Sequence, residues 1–329
     1  MNEKISICLP AYNAEATISE TIKSLLAQSV KDFELVIVDN SSTDNTIDRI
    51  NSFNDPRIRL YRNKENLGCG KNLNVCRKHA TGDILFFMSA DDIACPDALK
   101  KVILAFNLSN DIGLVARPYY WFISDPAKPV RITKQFKRLE IVSIDGPQDK
   151  IADVLTLSGQ ISGMAFRKKD MRIDFRQEPF IETAALVADM LKQYKAAILK
   201  ENIIAVRISD NGSMKPFVYQ ISPMMRWYKL VNETFFEDRF KGLKTYLVNH
   251  FIANNFIGLV QIKNFGTFGQ LLREIYLLVK MKWLNIFNPL FWFYSLGTIL
   301  TPRFILRPLV ENYKNNVSSS FLKKIKLGE

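Results

Sequence analysis

The sequence predicts an α/β protein: a mostly parallel central sheet flanked by helices, followed by a helical C-terminal extension. Three observations predict it. Across the first hundred residues, short β-branched apolar runs alternate with segments whose apolar residues recur at helical spacing, the rhythm of a parallel sheet with crossover helices. Hydrophobic residues are 47% of the 329, enough for one large core or two ordinary ones and too many for a disordered chain. Beyond Tyr219 the strand signals stop and helical periodicity takes over.

The elements follow in order. Lys4 to Leu9 (KISICL) is a β-branched run closed by Pro10, and Ala14 to Ser29 carries Ile18, Ile22, Leu25 and Leu26 at helical spacing. Phe33 to Val38 (FELVIV) is the second strand, after which Ser42, Thr43 and Asp44 offer caps to a helix through Ile47 and Ile50. A strand near Ile58 to Tyr61, a helix after Gly68 and a strand at Ile84 to Met88 complete the alternation. Pro118, Pro126, Pro129 and Pro147 mark 113–148 as irregular, with isolated strands. Ile161 to Phe166 reads as a return strand, Ile181 to Lys195 as a helix and Ala197 to Arg207 as an extended segment. The expected domains are 1–215 and 216–329.

Cys8, Cys69, Cys76 and Cys95 form no C-x-x-C pair and have no histidine cluster beside them, against a disulfide framework or a structural zinc site. The first apolar run is too short for a secretion-signal core. The net charge of +12 is uneven: residues 1–95 carry 11 Lys+Arg against 13 Asp+Glu, and residues 261–329 carry 10 against 3. Within that basic tail, Trp283 to Pro302 is an uncharged run of 20 residues flanked by Lys280, Lys282, Arg303 and Arg307. It is long enough to span a bilayer, but Asn285, Asn288, Pro289 and Gly297 interrupt it. The expectation is an in-plane segment pressing Trp283, Phe287, Phe291, Trp292 and Phe293 into an anionic membrane surface. The plainer alternative is a packing face of C-terminal helices. Nucleic acid is not an expected partner, since these aromatics lack interleaved basic residues.

In parallel sheets ligands sit beyond the carboxyl ends of the strands. The first strand ends in Pro10-Ala11-Tyr12-Asn13, the second in Asp39-Asn40-Ser41-Ser42 and the strand at 84–88 in Ser89-Ala90-Asp91-Asp92. No G-x-G-x-x-G follows the first strand and no G-x-x-x-x-G-K-[ST] occurs, against a dinucleotide enzyme or a P-loop NTPase.

Taken in order, ISICLPAYNAE, FELVIVDNSSTDNT, NLGCGKNLNVCRKHATGDILFFMSADD and ISGMAFRK resemble glycosyltransferase family 2 over about residues 4–210. The resemblance implies the GT-A nucleotide-diphospho-sugar transferase fold. It also implies inverting transfer of a sugar from a nucleotide-diphosphate sugar, by family habit a UDP-sugar. A glycan or glycolipid acceptor of the lipid-linked, lipopolysaccharide, O-antigen or capsule type is expected. So is a Mn²⁺ or Mg²⁺ cofactor, at the cytoplasmic face of the inner membrane. The Gln-x-x-Arg-Trp signature of processive synthases is absent, because Arg226-Trp227 lacks the glutamine. Transfer of one sugar per encounter is therefore expected.

By the same resemblance Asp92 is the principal metal ligand, and Asp91 faces the ribose or the metal's water shell. A hard cation held by one or two carboxylates and phosphate oxygens suits a diphosphate leaving group. Asp39 would accept a hydrogen bond from the base, Pro10, Ala11, Tyr12 and Asn13 would wrap the nucleoside with Glu15 nearby, and Lys71 would meet base or phosphate. Arg207 and Ser213 would close over the diphosphate. Each has a plainer reading: Asp91 and Asp92 as a solvated loop or cap, Asp39 as a turn former, Glu15 as an early-turn residue, Lys71 as a solvated lysine. Inversion requires a carboxylate base on the acceptor hydroxyl. Where relatives carry Glu-Asp this chain reads Glu182-Thr183, so Glu182 is the expected base, with Glu178 and Asp189 as substitutes. The departures at Thr183, at Ser89 and at a missing histidine after Arg207 leave one alternative, a catalytically inactive membrane-bound scaffold or sugar-nucleotide binding subunit.

Overall fold

The computed structural model describes residues 3–208, 216–313, 318, 321–322 and 324–329. The chain divides into two compact units: residues 1–177, 182–209 and 321–329 form the first, and residues 178–181 and 210–320 the second. The boundary expected at 215 lies outside the described residues, as does Ser213.

The first unit contains strands β1 (Ile5–Ala11), β2 (Phe33–Asp39), β3 (Ile58–Arg62), β4 (Ile84–Phe87), β5 (Ile93–Ala94), β6 (Ile112–Ala116), β7 (Tyr119–Phe122), β8 (Arg131–Ile132), β9 (Glu140–Val142), β10 (Ala165–Arg167), β11 (Lys195–Ile198) and β12 (Ile204–Arg207). Its helices are α1 (Ile18–Leu26), α2 (Thr46–Asn51), α3 (Cys69–His79), α4 (Ala98–Phe106), α5 (Gln148–Leu157) and α6 (Glu182–Leu191). Eight strands form one sheet in the order β3-β2-β1-β4-β10-β6-β11-β9, and β5-β12-β7-β8 form a second. Pairings β3/β2, β2/β1, β1/β4 and β6/β11 are parallel, while β10 runs antiparallel between β4 and β6. Buried on both faces, β1 and β4 are near-continuous apolar runs, as parallel strands covered by helices must be. Helix α1 turns Ile18, Ile22 and Leu25 into that core.

Two expected strands differ. The return strand begins at Ala165 rather than Ile161, because Ile161–Met164 is a turn in which Gly163 adopts φ +82° and donates its N–H to the Phe87 carbonyl. The extended segment 197–207 is two strands: β11 belongs to the large sheet and β12 to the small one. The tail also returns to this unit. Ile325 and Leu327 pack on Ile93, Tyr120, Phe122 and Ala205, Gly328 N–H donates to the Asn202 carbonyl (2.8 Å) and Lys101 Nζ donates to the Gly328 carbonyl (2.7 Å). Residues 321–329 thus join the sheet unit, not the helical region in which the sequence placed them.

Near the start of β2, Glu34 is half-buried. Burial alone would raise its carboxyl, but hydrogen bonds from Ser6, Thr81 and Arg59 outweigh it and hold the pKa down at about 2. A carboxylate depressed in the folded state contributes stability above its unfolded pKa and loses it as the pH falls through the folded one. Urea unfolding between pH 5 and 2 is expected to show Glu34→Gln converging on the wild type, the difference at the upper pH being on the order of 1–2 kcal/mol after solvent screening. A difference independent of pH would contradict this account.

The second unit is helical: α7 (Pro223–Thr234), α8 (Lys241–Tyr246), a π-helical turn at Leu247–Ile252, α9 (Gly258–Phe265), α10 (Phe268–Met281), a 3-10 turn at Trp283–Phe287, α11 (Pro289–Leu300) and α12 (Arg303–Asn312). Helix starts are capped in sequence-readable ways: Ser222 accepts from Met225 N–H, Thr267 and Gln270 form a reciprocal capping box, and Asn288 accepts from Leu290 N–H ahead of Pro289. The uncharged run is therefore broken at Asn288. Asn285 is buried, its Nδ2 donating to the Ala253 and Leu278 carbonyls. Among the described residues no helix is long and apolar enough to cross a membrane. Of the five aromatics expected at a membrane surface, Trp283, Phe287, Trp292 and Phe293 are exposed, whereas Phe291 is a core residue packed edge-on against Phe256.

Candidate active site

The carboxyl ends of β1, β2 and β4 lie side by side, because β1 sits between the other two and its Ala11 is registered against Asp39. The loop after β1 is stapled to the loop after β2. Asn13 (φ +47°) donates its N–H to Ser42 Oγ at 2.9 Å and accepts Thr43 N–H on its side chain at 2.9 Å. Ala14 N–H donates to Thr46 Oγ1 at 2.7 Å. Glu15 lies ahead of α1, and its carboxylate accepts from both nitrogens of Asn45. Glu15 therefore ties two loops together through one carboxylate oxygen, while the residue stays exposed. Pro10 and Ala11 end β1, and Tyr12 is exposed at the rim.

Asp39 is fully buried at the end of β2. Its Oδ2 accepts Ser42 N–H at 3.0 Å and lies 3.3 Å from Arg62 Nε, while Oδ1 has no hydrogen-bond partner. A buried acceptor left unspent is costly and uncommon, and it suits an imide or amino edge of a nucleobase. Beside it, Asn40, Asn63, Asn66 and Asn72 form a hydrogen-bonded chain that sets the loop into α3. In that helix Gly70 is obligatory, since a Cβ there would lie 2.0 Å from the Arg176 carbonyl oxygen. Lys71 is exposed one residue on, its N–H donating to Gln177 Oε1.

The Asp91-Asp92 pair follows β4. Asp92 is 1% exposed; Oδ1 accepts Arg207 N–H at 2.8 Å and Oδ2 accepts the Ser162 hydroxyl, which also receives Ser89 N–H. Desolvation, then the charge of Asp91, raises the Asp92 carboxyl above the usual range against the pull of Ser162, the Arg207 N–H and Arg117. Asp91 is the more exposed of the two. The order of accessibility is thus the reverse of the expected order of metal ligation. Among the described residues no cluster of three or more His, Cys, Asp or Glu could hold a metal. A divalent cation here would rest on this carboxylate pair and be completed by diphosphate oxygens, the usual arrangement for Mg²⁺. Two adjacent carboxylates, one driven up by desolvation and its neighbour's charge, fit such a cation.

Arg207, expected over a diphosphate, is turned inward. Nε donates to the Asp91 carbonyl at 3.0 Å, Nη2 pairs with Glu20, and the guanidinium stacks on Phe122 at 4.5 Å. Glu182 is the first residue of α6, and its carbonyl accepts Arg176 N–H. The Cys69 thiol is raised first by desolvation and then by the negative charge of Glu182. That places the glutamate within electrostatic reach of the start of α3. Asp189 sits seven residues further on, about 10 Å along the helix, and Glu178 belongs to the second unit.

Three residues of the site escaped the sequence reading. Ser162 holds Asp92, Glu20 holds Arg207, and Arg117, fully buried beneath the pair, donates to the Leu157 and Gln160 carbonyls at 3.1 and 2.9 Å. Gly163 leaves room for Arg117, whose Nε would stand 2.9 Å from a Cβ at that position. Ser162 and Gly163 lay within the ISGMAFRK motif, but nothing local marked Arg117 or Glu20.

A family model, Glycosyl transferase family 2, matches residues 6–173, just over half of the chain. Among curated proteins, the chain is 36% identical over 115 residues to the Escherichia coli UDP-Glc:alpha-D-GlcNAc-diphosphoundecaprenol beta-1,3-glucosyltransferase WfgD; the match covers 35% of this chain and 45% of that one. The fold is similar to that of S. aureus TarS 1-349 in complex with UDP-GlcNAc, with a TM-score of 0.65 and 18% identity over 98% of this chain and 92% of that one. It is also similar to the mannosyltransferase PcManGT from Pyrobaculum calidifontis in complex with GDP-Man and Mn2+, with a TM-score of 0.55 and 16% identity over 98% and 87%. With the sheet, the motif loops and the matched family in agreement, the chain belongs to glycosyl transferase family 2 and is a glycosyltransferase of the GT-A fold.

Proposed function

We propose that this glycosyltransferase moves one sugar, with inversion, from a UDP-sugar to a lipid-linked or lipopolysaccharide, O-antigen or capsule-type glycan. The observation that carries this reading is the placement of Asp39, with its unspent Oδ1, and the Asp91-Asp92 pair at the carboxyl ends of β2 and β4, on either side of β1. Asp39 accepts a hydrogen bond from the base, and the Tyr12–Asn13 turn, fixed by Ser42 and Thr43, lines the nucleoside. Asp91 is the carboxylate presented to a Mn²⁺ or Mg²⁺ ion, and Asp92, with both oxygens engaged, holds the loop that presents it. When bound, the cation neutralises charge on the departing diphosphate. Lys71 adds a positive charge at the same edge. Glu182 takes the proton from the acceptor hydroxyl as it attacks the anomeric carbon.

The acceptor class follows the curated relative named for a diphosphoundecaprenol-linked sugar. An amphiphilic acceptor also suits the exposed Phe287 (70%) and Phe293 (71%) beside Trp283 and Lys280, which would rest in the headgroup region of the inner membrane's cytoplasmic face. Calorimetric titration with UDP-, dTDP- and GDP-sugars in Mn²⁺ or Mg²⁺ tests the reading. Metal-dependent binding and slow turnover of one UDP-sugar are expected. A folded protein that binds no donor across the panel would instead be the scaffold.

A further inference from the structure

The second unit contains a cavity of about 110 Å³. Phe180, Tyr219, Trp227 and Phe251 line it, with Asn255 and Glu274 as polar groups. Glu274, on α10, is 5% exposed. Oε1 accepts Met224 N–H at 3.1 Å, and Oε2 has no hydrogen-bond partner. Burial raises its carboxyl, against a hydrogen bond from Ser222, the Met224 N–H and the charge of Arg273. A buried carboxyl oxygen without a donor, on a residue that lines the cavity, is an expensive arrangement unless something supplies the donor.

The cavity wall is also strained. Phe180 has φ +75°, rare for a bulky residue. Arg226 holds it there, donating to the Pro179 carbonyl at 3.1 Å with its guanidinium 5.7 Å from the Phe180 ring, which lies 5.7 Å from that of Tyr219. Phe180 is two residues before Glu182, so the chain itself keeps the two within about 7 Å.

We propose that this cavity is a subsite for a sugar of the acceptor glycan. A ring hydroxyl donates to Glu274 Oε2, and the apolar face of the sugar lies on the aromatic walls. The proposal rests on the glycosyl-transfer reading and names where that reaction's acceptor is gripped. The volume is that of about four waters, which suits the hydroxyl-bearing edge of one pyranose and excludes a nucleotide. The occupant is a neutral hydroxylated ring rather than a cation, because the Arg273 guanidinium, tied to the Tyr219 and Gln220 carbonyls, already places positive charge beside the carboxyl.

The test uses the full chain and methyl glycosides of glucose, galactose, mannose and N-acetylglucosamine. Binding is followed by saturation-transfer NMR, with UDP and Mn²⁺ titrated into the same samples. At least one glycoside is expected to bind in the millimolar range, about tenfold more weakly to Glu274→Gln, with the C–H protons of the apolar ring face receiving the most saturation. Phe251→Ala, which leaves the carboxyl in place, is expected to weaken binding as well. Three results would overturn the proposal: no glycoside binding up to tens of millimolar, equal binding to wild type and Glu274→Gln, or tetramethylammonium binding in preference to every glycoside. UDP binding reports on the donor reading separately. Its failure beside Glu274-dependent glycoside binding would remove the UDP assignment and leave the sugar subsite standing.

Discussion

Asp91→Asn is expected to lower metal-dependent turnover of the donor by about a thousandfold while leaving the fold intact. Among the described residues, the carboxylate pair after β4 is the donor set on the same edge of the sheet as Asp39 that could meet a diphosphate-bound cation. Loss of one anionic ligand costs the charge stabilisation that a cation supplies at a leaving group, several kcal/mol. Because Asp91 is partly exposed, the substitution is expected to shift stability by no more than about 0.5 kcal/mol. Asp92→Asn is the informative contrast. An amide cannot accept from both Arg207 N–H and Ser162 Oγ–H in the present arrangement, so about 1–3 kcal/mol of folding stability is lost along with activity. Steady-state donor hydrolysis and thermal unfolding of the two variants separate the roles. If Asp91→Asn kept its metal-dependent turnover, the assignment of the cation to Asp91 would fall.

Arg117→Met is expected to have the largest effect on stability. The guanidinium is fully buried, and burial draws its pKa down to about 10, with the charges of Tyr119 and Asp92 acting in the opposite sense. It satisfies the Leu157 and Gln160 carbonyls, which end α5, and stacks 4.7 Å from Tyr119. Methionine matches much of its length but none of these interactions, and it leaves two carbonyls without their donor. Leaving two buried carbonyls without donors costs about 1–3 kcal/mol each, or on the order of 10 °C in Tm for a unit of this size. Arg117→Lys is expected to recover little, since one ammonium cannot serve two carbonyls and stack on a ring as the planar fork does. Denaturant unfolding of both variants measures this directly, and a loss below 1 kcal/mol for Arg117→Met would show that the guanidinium is not holding the loop.

Chain connectivity and local chemistry made much of the protein legible before folding was considered. The apolar runs at Lys4–Leu9, Phe33–Val38 and Ile84–Met88 specify buried parallel strands because only strands covered on both faces tolerate continuous apolar sequence. The polar residues that follow each run, Asn13, Asp39, Asp91 and Asp92 among them, are committed by topology to one edge of the sheet. Helix starts at Ser222, Thr267 and Asn288 are likewise set locally, because a cap satisfies backbone groups two or three residues away.

What the sequence left open was decided by contacts between distant residues. Which of Asp91 and Asp92 faces solvent depends on Ser162, about seventy residues later, and on the backbone of Arg207 at the end of β12. The role of Arg207 depends on Glu20, and that of Glu15 on Asn45. Phe291 looked like its exposed neighbours until Phe256 covered it, and nothing in the tail's composition foretold that Ile325 and Leu327 would find the small sheet. Periodicity and caps are local, so the sequence by itself determined β1, β2 and β4 and the loops after them that bear the chemistry. Desolvation and hydrogen-bond pairing depend on the whole packed environment, so only the tertiary structure decided which carboxylates are spent on the fold and which remain for a ligand.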